Sequence, residues 1–111
     1  MISRIRKVDD IPQAYETIYM RKEFFEKLNK DEYLLGIRVL AKKYADDVDV
    51  NDTVEALLGL KKVTDILNLQ VGVPILQIKS YFRNKGELFM YSRTCHPGDF
   101  YIYESLPSKL K

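Results

Sequence analysis

Apolar residues recur along this chain in two rhythms, one of about two residues and one of three to four, and each marks a different kind of element. The longer rhythm is clearest from Lys30 to Tyr44. There Leu34, Ile37, Leu40, Ala41 and Tyr44 fall on one stripe and predict a helix. Asn29 stands at its N-cap, Glu32 completes a capping box, and Leu28 and Tyr33 occupy the staple positions. Gly36, inside that helix, costs about 1 kcal/mol relative to alanine. It has two readings: close packing against a strand, or close approach of a ligand. A second helix is expected from Leu60 to Leu69, striped by Leu60, Val63, Ile66 and Leu67 and broken by Gly72 and Pro74. Lys22 to Leu28 adds one or two helical turns around Phe24, Phe25 and Leu28.

The shorter rhythm predicts strands. Residues 2–7 and 13–20 flank the turn cluster Asp9-Asp10-Ile11-Pro12 and read as a hairpin. Pro74 to Phe82 and Glu87 to His96 flank Asn84-Lys85-Gly86 and read as another. Residues 47–57 read as a strand, although Val54 to Leu58 also suit a helix. Pro97-Gly98 interrupts the chain before a short final strand, Phe100 to Tyr103. Strands joined by tight turns are antiparallel. The expected architecture is therefore α+β, an antiparallel sheet with helices packed on one face. One domain is expected over residues 1–104, with a frayed tail at 105–111.

Composition narrows the function classes. A chain of 111 residues makes one domain, and 46% hydrophobic with 31% charged residues fits an ordinary globular protein. The net charge of +2 supplies no basic face for nucleic acid. A single cysteine excludes an intrachain disulfide. There is no apolar run of membrane-spanning length and no signal-peptide core, so a cytoplasmic location and no membrane partner are expected.

The candidate chemistry lies in charged pairs. Arg4 and Arg6 are two residues apart and share a strand face. With Glu16 across the hairpin they form either a solvated face or an anion site, since paired guanidinium forks suit phosphate or carboxylate. Arg38 lies off the helix stripe, either solvated or looking over the sheet one turn from Gly36. Cys95 and His96 are adjacent on a strand and point to opposite faces, so they make neither a metal site nor a catalytic pair. Cys95 reads as a small buried group; His96 is either structural or lines a cleft. No catalytic residue, metal or cofactor is expected. The residues alone support a soluble α+β domain with a charged cleft.

In order along the chain, Arg4-x-Arg6, Pro12, Glu16-x-x-Tyr19, the helix at 30–44, the segment Leu67 to Leu76 and Asp99-Phe100-Tyr101 resemble the UTRA effector-binding domain of GntR-type bacterial transcription regulators, HutC subfamily. The resemblance covers roughly residues 1–103 and matches the larger C-terminal part of such a domain, so an N-terminal truncation is expected. It implies a chorismate-lyase-like fold, a homodimer, and a cleft that holds a small anionic metabolite, a sugar phosphate or carboxylic acid. It implies DNA binding only through a winged helix-turn-helix domain absent from this chain. By resemblance, Arg4, Arg6, Glu16, Gly36, Arg38, Met90 and His96 fall at effector-contacting positions. Sugar-phosphate sensors of the family often carry Ser, Tyr, Glu and Tyr where this chain has Gly36, Arg38, Met90 and His96. That difference points away from an amino sugar phosphate and towards another anionic metabolite. The alternatives are a chorismate-lyase-like enzyme on the same fold, with Glu16 as its only candidate acid, and a purely structural dimerisation fragment.

Overall fold

The computed structural model describes residues 1–59, 61–70 and 72–98. β1 (Ile2–Val8) and β2 (Ile11–Met20) form the first hairpin; β4 (Pro74–Asn84) and β5 (Glu87–Pro97) form the second. β3 (Asp49–Leu58) joins them in one five-stranded sheet of order β1-β2-β5-β4-β3, antiparallel at every junction. Three helices complete the fold: α1 (Lys22–Lys27), α2 (Ile37–Tyr44) and α3 (Lys61–Ile66). The α+β class and the antiparallel sheet are as expected, and the strand expected near 47–57 is β3; the helices, expected on one face, are divided, with α3 opposite α1 and α2. The stretches expected as a final strand (100–103) and a frayed tail (105–111) lie outside the described residues.

Both hairpins turn through two residues in left-handed conformation. Asp9 and Asp10 have φ of 51° and 64°, and Lys85 and Gly86 have φ of 51° and 83°. That backbone twist matches the right-handed twist of the flanking strands. Register then assigns faces by parity. Ile2, Ile18 and Met90 share the even face, while Tyr15, Tyr91 and Cys95 share the odd face. Bulges modify the rule in both hairpins: Arg6 stands opposite Ala14 but Lys7 opposite Pro12, so Gln13 is an extra residue on β2. Phe82 stands opposite Met90 but Arg83 stands opposite Leu88, so Phe89 is an extra residue on β5. The bulge re-aims its side chain, and Phe89 joins Met90 in the same core.

That core fills the space between the even face and the first helices. Ile2, Ile18, Phe82, Phe89 and Met90 from the sheet meet Phe24 of α1 and Leu40 and Ala41 of α2. Tyr44 stacks on Phe89 with ring centroids 4.5 Å apart and packs on Phe24 at 4.9 Å. α3 lies on the opposite face. Leu67, just past its end, clusters with Ile75 and Cys95, with Val63 and Tyr15 alongside.

The helix expected over 30–44 is two pieces. Lys30–Leu34 is a 3-10 turn, Leu35 and Gly36 are extended, and α2 begins at Ile37. The cap at its start forms as expected: the Asn29 amide donates to Glu32 Oε1 at 2.9 Å. Gly36 is thus an N-cap residue, not a helix-interior one, and a Cβ added there meets nothing within 4 Å. Close packing does not explain it.

Gly59 is where packing demands glycine. A Cβ there would sit 2.5 Å from the Thr64 methyl, itself fully buried, and 3.0 Å from the Val73 carbonyl oxygen. Gly59→Ala is expected to lower stability by about 1–3 kcal/mol through overpacking. Gly36→Ala should cost less than about 1 kcal/mol, the scale of an N-cap change. Urea denaturation of both variants checks the contrast, and equal losses would contradict it.

Candidate functional site

The even face is only partly covered by α1 and α2, and its polar residues gather beyond that cover. Arg4, Glu16, Thr94 and Ile78 lie opposite one another across β1, β2, β5 and β4. One row towards the helices come Ile18, Ser92, Ser80 and Asp52. One row away come Arg6 and Ala14 on the hairpin and His96 opposite Leu76. Rows on one face are about 7 Å apart and neighbouring strands about 4.8 Å.

Glu16 is the centre of this surface. Its side chain is 3% exposed, and its Oε1 forms an ion pair with Arg4 Nε and lies 3.9 Å from Arg6 Nη2. Thr94 Oγ1 donates to the other oxygen at 3.2 Å. Arg4 is itself 13% exposed and is committed elsewhere as well. Its Nη1 donates to the backbone carbonyls of Tyr33, at 2.9 Å, and Leu35. Its Nη2 is buried without a hydrogen-bond partner. Arg6 differs: its side chain is 52% exposed, and it approaches the same Glu16 oxygen only to 3.9 Å. Two guanidinium groups therefore share one carboxylate, and the surplus charge sits on the exposed one.

His96 completes this cluster. Its pKa is pushed below the usual imidazole value, first by burial and then by the Arg6 charge; Glu16 and a hydrogen bond with the Gln13 backbone oppose the shift. Across the sheet, Ser80 Oγ donates to Asp52 Oδ1 at 2.7 Å, and Arg38 Nη2 lies 3.8 Å from Asp52 Oδ2. β1 and β3 are separated by four strand spacings, about 19 Å. The Arg38–Asp52 pair is thus a second polar pole rather than part of the Arg4–Glu16 cluster.

Of the residues singled out in the sequence, the structure brings Arg4, Arg6, Glu16 and His96 together. Gly36 adjoins them through Leu35, whose carbonyl Arg4 holds. Arg38 lies at the far pole. Met90 is 1% exposed inside the core, opposite Phe82. Cys95 faces the other way, as its adjacency to His96 required. Thr94, Ser80 and Asp52 were missed. Polar residues at Ser80, Ser92 and Thr94, all in the parity of His96, were the signal that could have found them. Among the described residues, no three His, Cys, Asp or Glu side chains gather as metal ligands, and no helix is long and apolar enough to cross a membrane.

The comparisons fit this picture. Residues 1–102 match the UTRA domain model, and the chain belongs to that family. It is similar to the HTH-type transcriptional repressor NagR of Bacillus subtilis, 28% identical over 107 residues, covering 92% of this chain and 43% of the repressor. Among solved structures, it superposes on a GntR-family transcriptional regulator from Enterococcus faecalis with a TM-score of 0.80 at 26% identity, covering 95% of this chain and 78% of that one. It also superposes on the effector-binding domain of the B. subtilis trehalose repressor, with a TM-score of 0.77 at 15% identity and coverage of 98% and 78%. This is an effector-binding domain of the kind found in GntR-family transcription regulators. Its relatives are regulators rather than enzymes, which removes the chorismate-lyase-like alternative. The chain spans under half the length of its curated relative.

Two outcomes follow from the geometry. Arg4→Ala strands a buried carboxylate and should cost about 3–5 kcal/mol of stability. Arg6→Ala, at an exposed ion pair, should cost less than about 1 kcal/mol. Chemical denaturation separates the two, and similar losses would contradict the assigned roles. His96 adds a pH dependence. A folded-state pKa below the unfolded value of about 6.5 means the unfolded chain binds the extra proton first. Its contribution is fully present above that value and is lost as pH falls through the folded pKa. His96→Gln should therefore flatten the loss of stability that sets in as pH falls below about 6.5, and an unchanged profile would remove His96 as the cause.

Proposed function

We propose that the chain senses a small anionic metabolite on the even face of the sheet. The observation that carries this reading is the sharing of Glu16 by Arg4 and Arg6. Arg4 is committed to Glu16 and to two backbone carbonyls, whereas Arg6 presents a half-exposed fork whose one ion pair among the described residues is the 3.9 Å approach to Glu16. Guanidinium forks bind carboxylate and phosphate oxygens in pairs. Thr94 and His96 offer neighbouring polar atoms, and Gly36 leaves open space where any side chain would intrude on a ligand. Arg38, at the far pole, adds positive charge to the same face. A sugar phosphate or a small carboxylic acid has this make-up. With Arg38 in place of an uncharged group, acidic ligands other than amino sugar phosphates are favoured.

Signalling requires that the effector bind one conformation better than another. Arg4 supplies the mechanical link. It joins Glu16 on β2 to the Tyr33 and Leu35 carbonyls that precede α2, so a ligand engaging Glu16 or Arg6 pulls on the start of that helix. In a full-length regulator the change would pass to a winged helix-turn-helix domain outside this chain and alter operator affinity. The name of the curated relative, an HTH-type repressor, supports that assignment, as does the chain's coverage of 43% of it. Homodimerisation through this domain belongs to the same proposal.

A thermal-shift screen of sugar phosphates and small carboxylic acids is expected to yield ligands that raise the apparent melting temperature. Calorimetry on the strongest ligand should show Arg6→Ala weakening it by about 1.5–3 kcal/mol, the range for hydrogen bonds to charged groups. A screen with no hit would leave a purely structural dimerisation module as the better reading, and undiminished affinity in Arg6→Ala would move the site elsewhere.

A further inference from the structure

We infer that the odd face of the sheet carries a second small-anion site, in the hollow between the strands and α3, with Lys62 and Arg93 as its cations. The hollow is about 340 Å³ and lies on the face away from Arg4, Arg6 and Glu16. That volume falls in the range of small-molecule sites, roughly 300–1,000 Å³. Its floor is built from residues of four strands. Thr17 and Cys95 are buried at 7% and 6% exposure, and Ser3, Tyr15 and Gln77 stand beside them. α3 closes one side with Lys62 and Val63.

Charge decides what the hollow would take. Among the described residues no carboxylate lines it, while two cationic side chains do. Among the described residues, neither Lys62 nor Arg93 has an Asp or Glu partner within 4.0 Å. Pairing is available on this same face: Lys79, a neighbour of Arg93 across β4 and β5, is neutralised by Glu55 at 2.9 Å. Arg93 is nonetheless held in place. Its guanidinium carbon lies 6.0 Å from the Tyr19 ring centroid, and Nη2 contacts the Tyr19 hydroxyl at 3.3 Å. A fixed guanidinium loses little freedom on binding an oxyanion.

The hydroxyls are arranged to orient such a ligand. The pKa of the Tyr15 phenol is drawn below its ordinary value by the hydroxyls of Thr17 and Ser3, with Lys62 adding to the effect. Cys95 contributes bulk rather than charge, because burial raises its thiol pKa. The ligand is therefore a short molecule bearing a carboxylate or phosphate group, with a small apolar body against Val63 and Cys95. This site is independent of the effector proposal, since its lining shares no residue with the Arg6 cluster.

The test is an amide-resolved NMR titration of the 111-residue chain, at constant ionic strength, with succinate and separately with inorganic phosphate. Saturable shifts at Ser3, Thr17, Lys62, Gln77 and Arg93 are expected with at least one of them. A response to succinate alone assigns a carboxylate, and a response to phosphate alone assigns a phosphate group. The double variant Lys62→Ala, Arg93→Ala should weaken that binding at least tenfold, and Arg6→Ala should leave it unchanged. Both replaced side chains are exposed, so the variant should keep the parent's spectral dispersion and melting temperature, which separates lost binding from lost folding. No saturable shift at millimolar anion, or shifts confined to the Arg6 face, overturns the site.

Discussion

A single carboxylate, Glu16, is buried beneath the hairpin and held by Arg4, and the form of the candidate site follows from that pair. A carboxylate taken out of water is costly unless it is paired and hydrogen-bonded. Here Arg4 supplies the opposite charge and Thr94 a hydroxyl. Burying Arg4 in turn leaves its remaining donors to be satisfied, and the carbonyls of Tyr33 and Leu35 accept from one of them. In a continuous helix those carbonyls would accept from amides four residues on. Arg4 takes their place, the chain runs extended through Leu35 and Gly36, and α2 restarts beyond. The helix layer is thereby tied to the sheet at the point where the polar surface begins.

The sheet's two-residue period distributes chemistry between two faces. Even positions carry the core under α1 and α2 and then the Arg6, Thr94 and His96 surface. Odd positions carry a tyrosine row, Tyr19, Tyr91 and Tyr81, with neighbouring ring centroids 6.0 and 4.9 Å apart. Arg93 and Arg83 lie over the two ends of that row. The Tyr91 hydroxyl is harder to ionise than usual, mainly because it is partly buried, with Tyr81 adding to the shift. The two faces of the sheet are thus chemically distinct, one carrying an ion-pair cluster and the other a tyrosine row flanked by arginines.

Relatives at 15% and 26% identity superpose almost equally well on this chain. The fold accordingly rests on pattern rather than on particular residues: alternation in the strands, a two-residue turn in each hairpin, and an apolar stripe on α2. Individual side chains differ against that shared pattern: in this chain Arg38 pairs with Asp52, and a Cβ at Gly36 would meet nothing within 4 Å.

Pairing within each hairpin and the Arg4, Arg6 and Glu16 cluster were legible in the sequence, because a tight turn brings its flanking strands together and a strand places i and i+2 on one face. The start of the 3-10 turn was legible too, since a capping box is a local device. Other features were not local. The break at Leu35 and Gly36 depends on a guanidinium arriving from a strand some thirty residues earlier. Met90 sits in the core because a bulge at Phe89 and the packing of α1 and α2 close over it, neither of which a strand pattern reveals. The expectation that α3 shares a face with α1 and α2 failed for the same reason: its stripe fits any apolar surface, and only the β3-to-β4 crossing delivers it to Ile75 and Cys95. Local hydrogen-bonding chemistry was written along the chain, whereas contacts between distant segments, and the hollows they enclose, existed only once the sheet had brought those segments together.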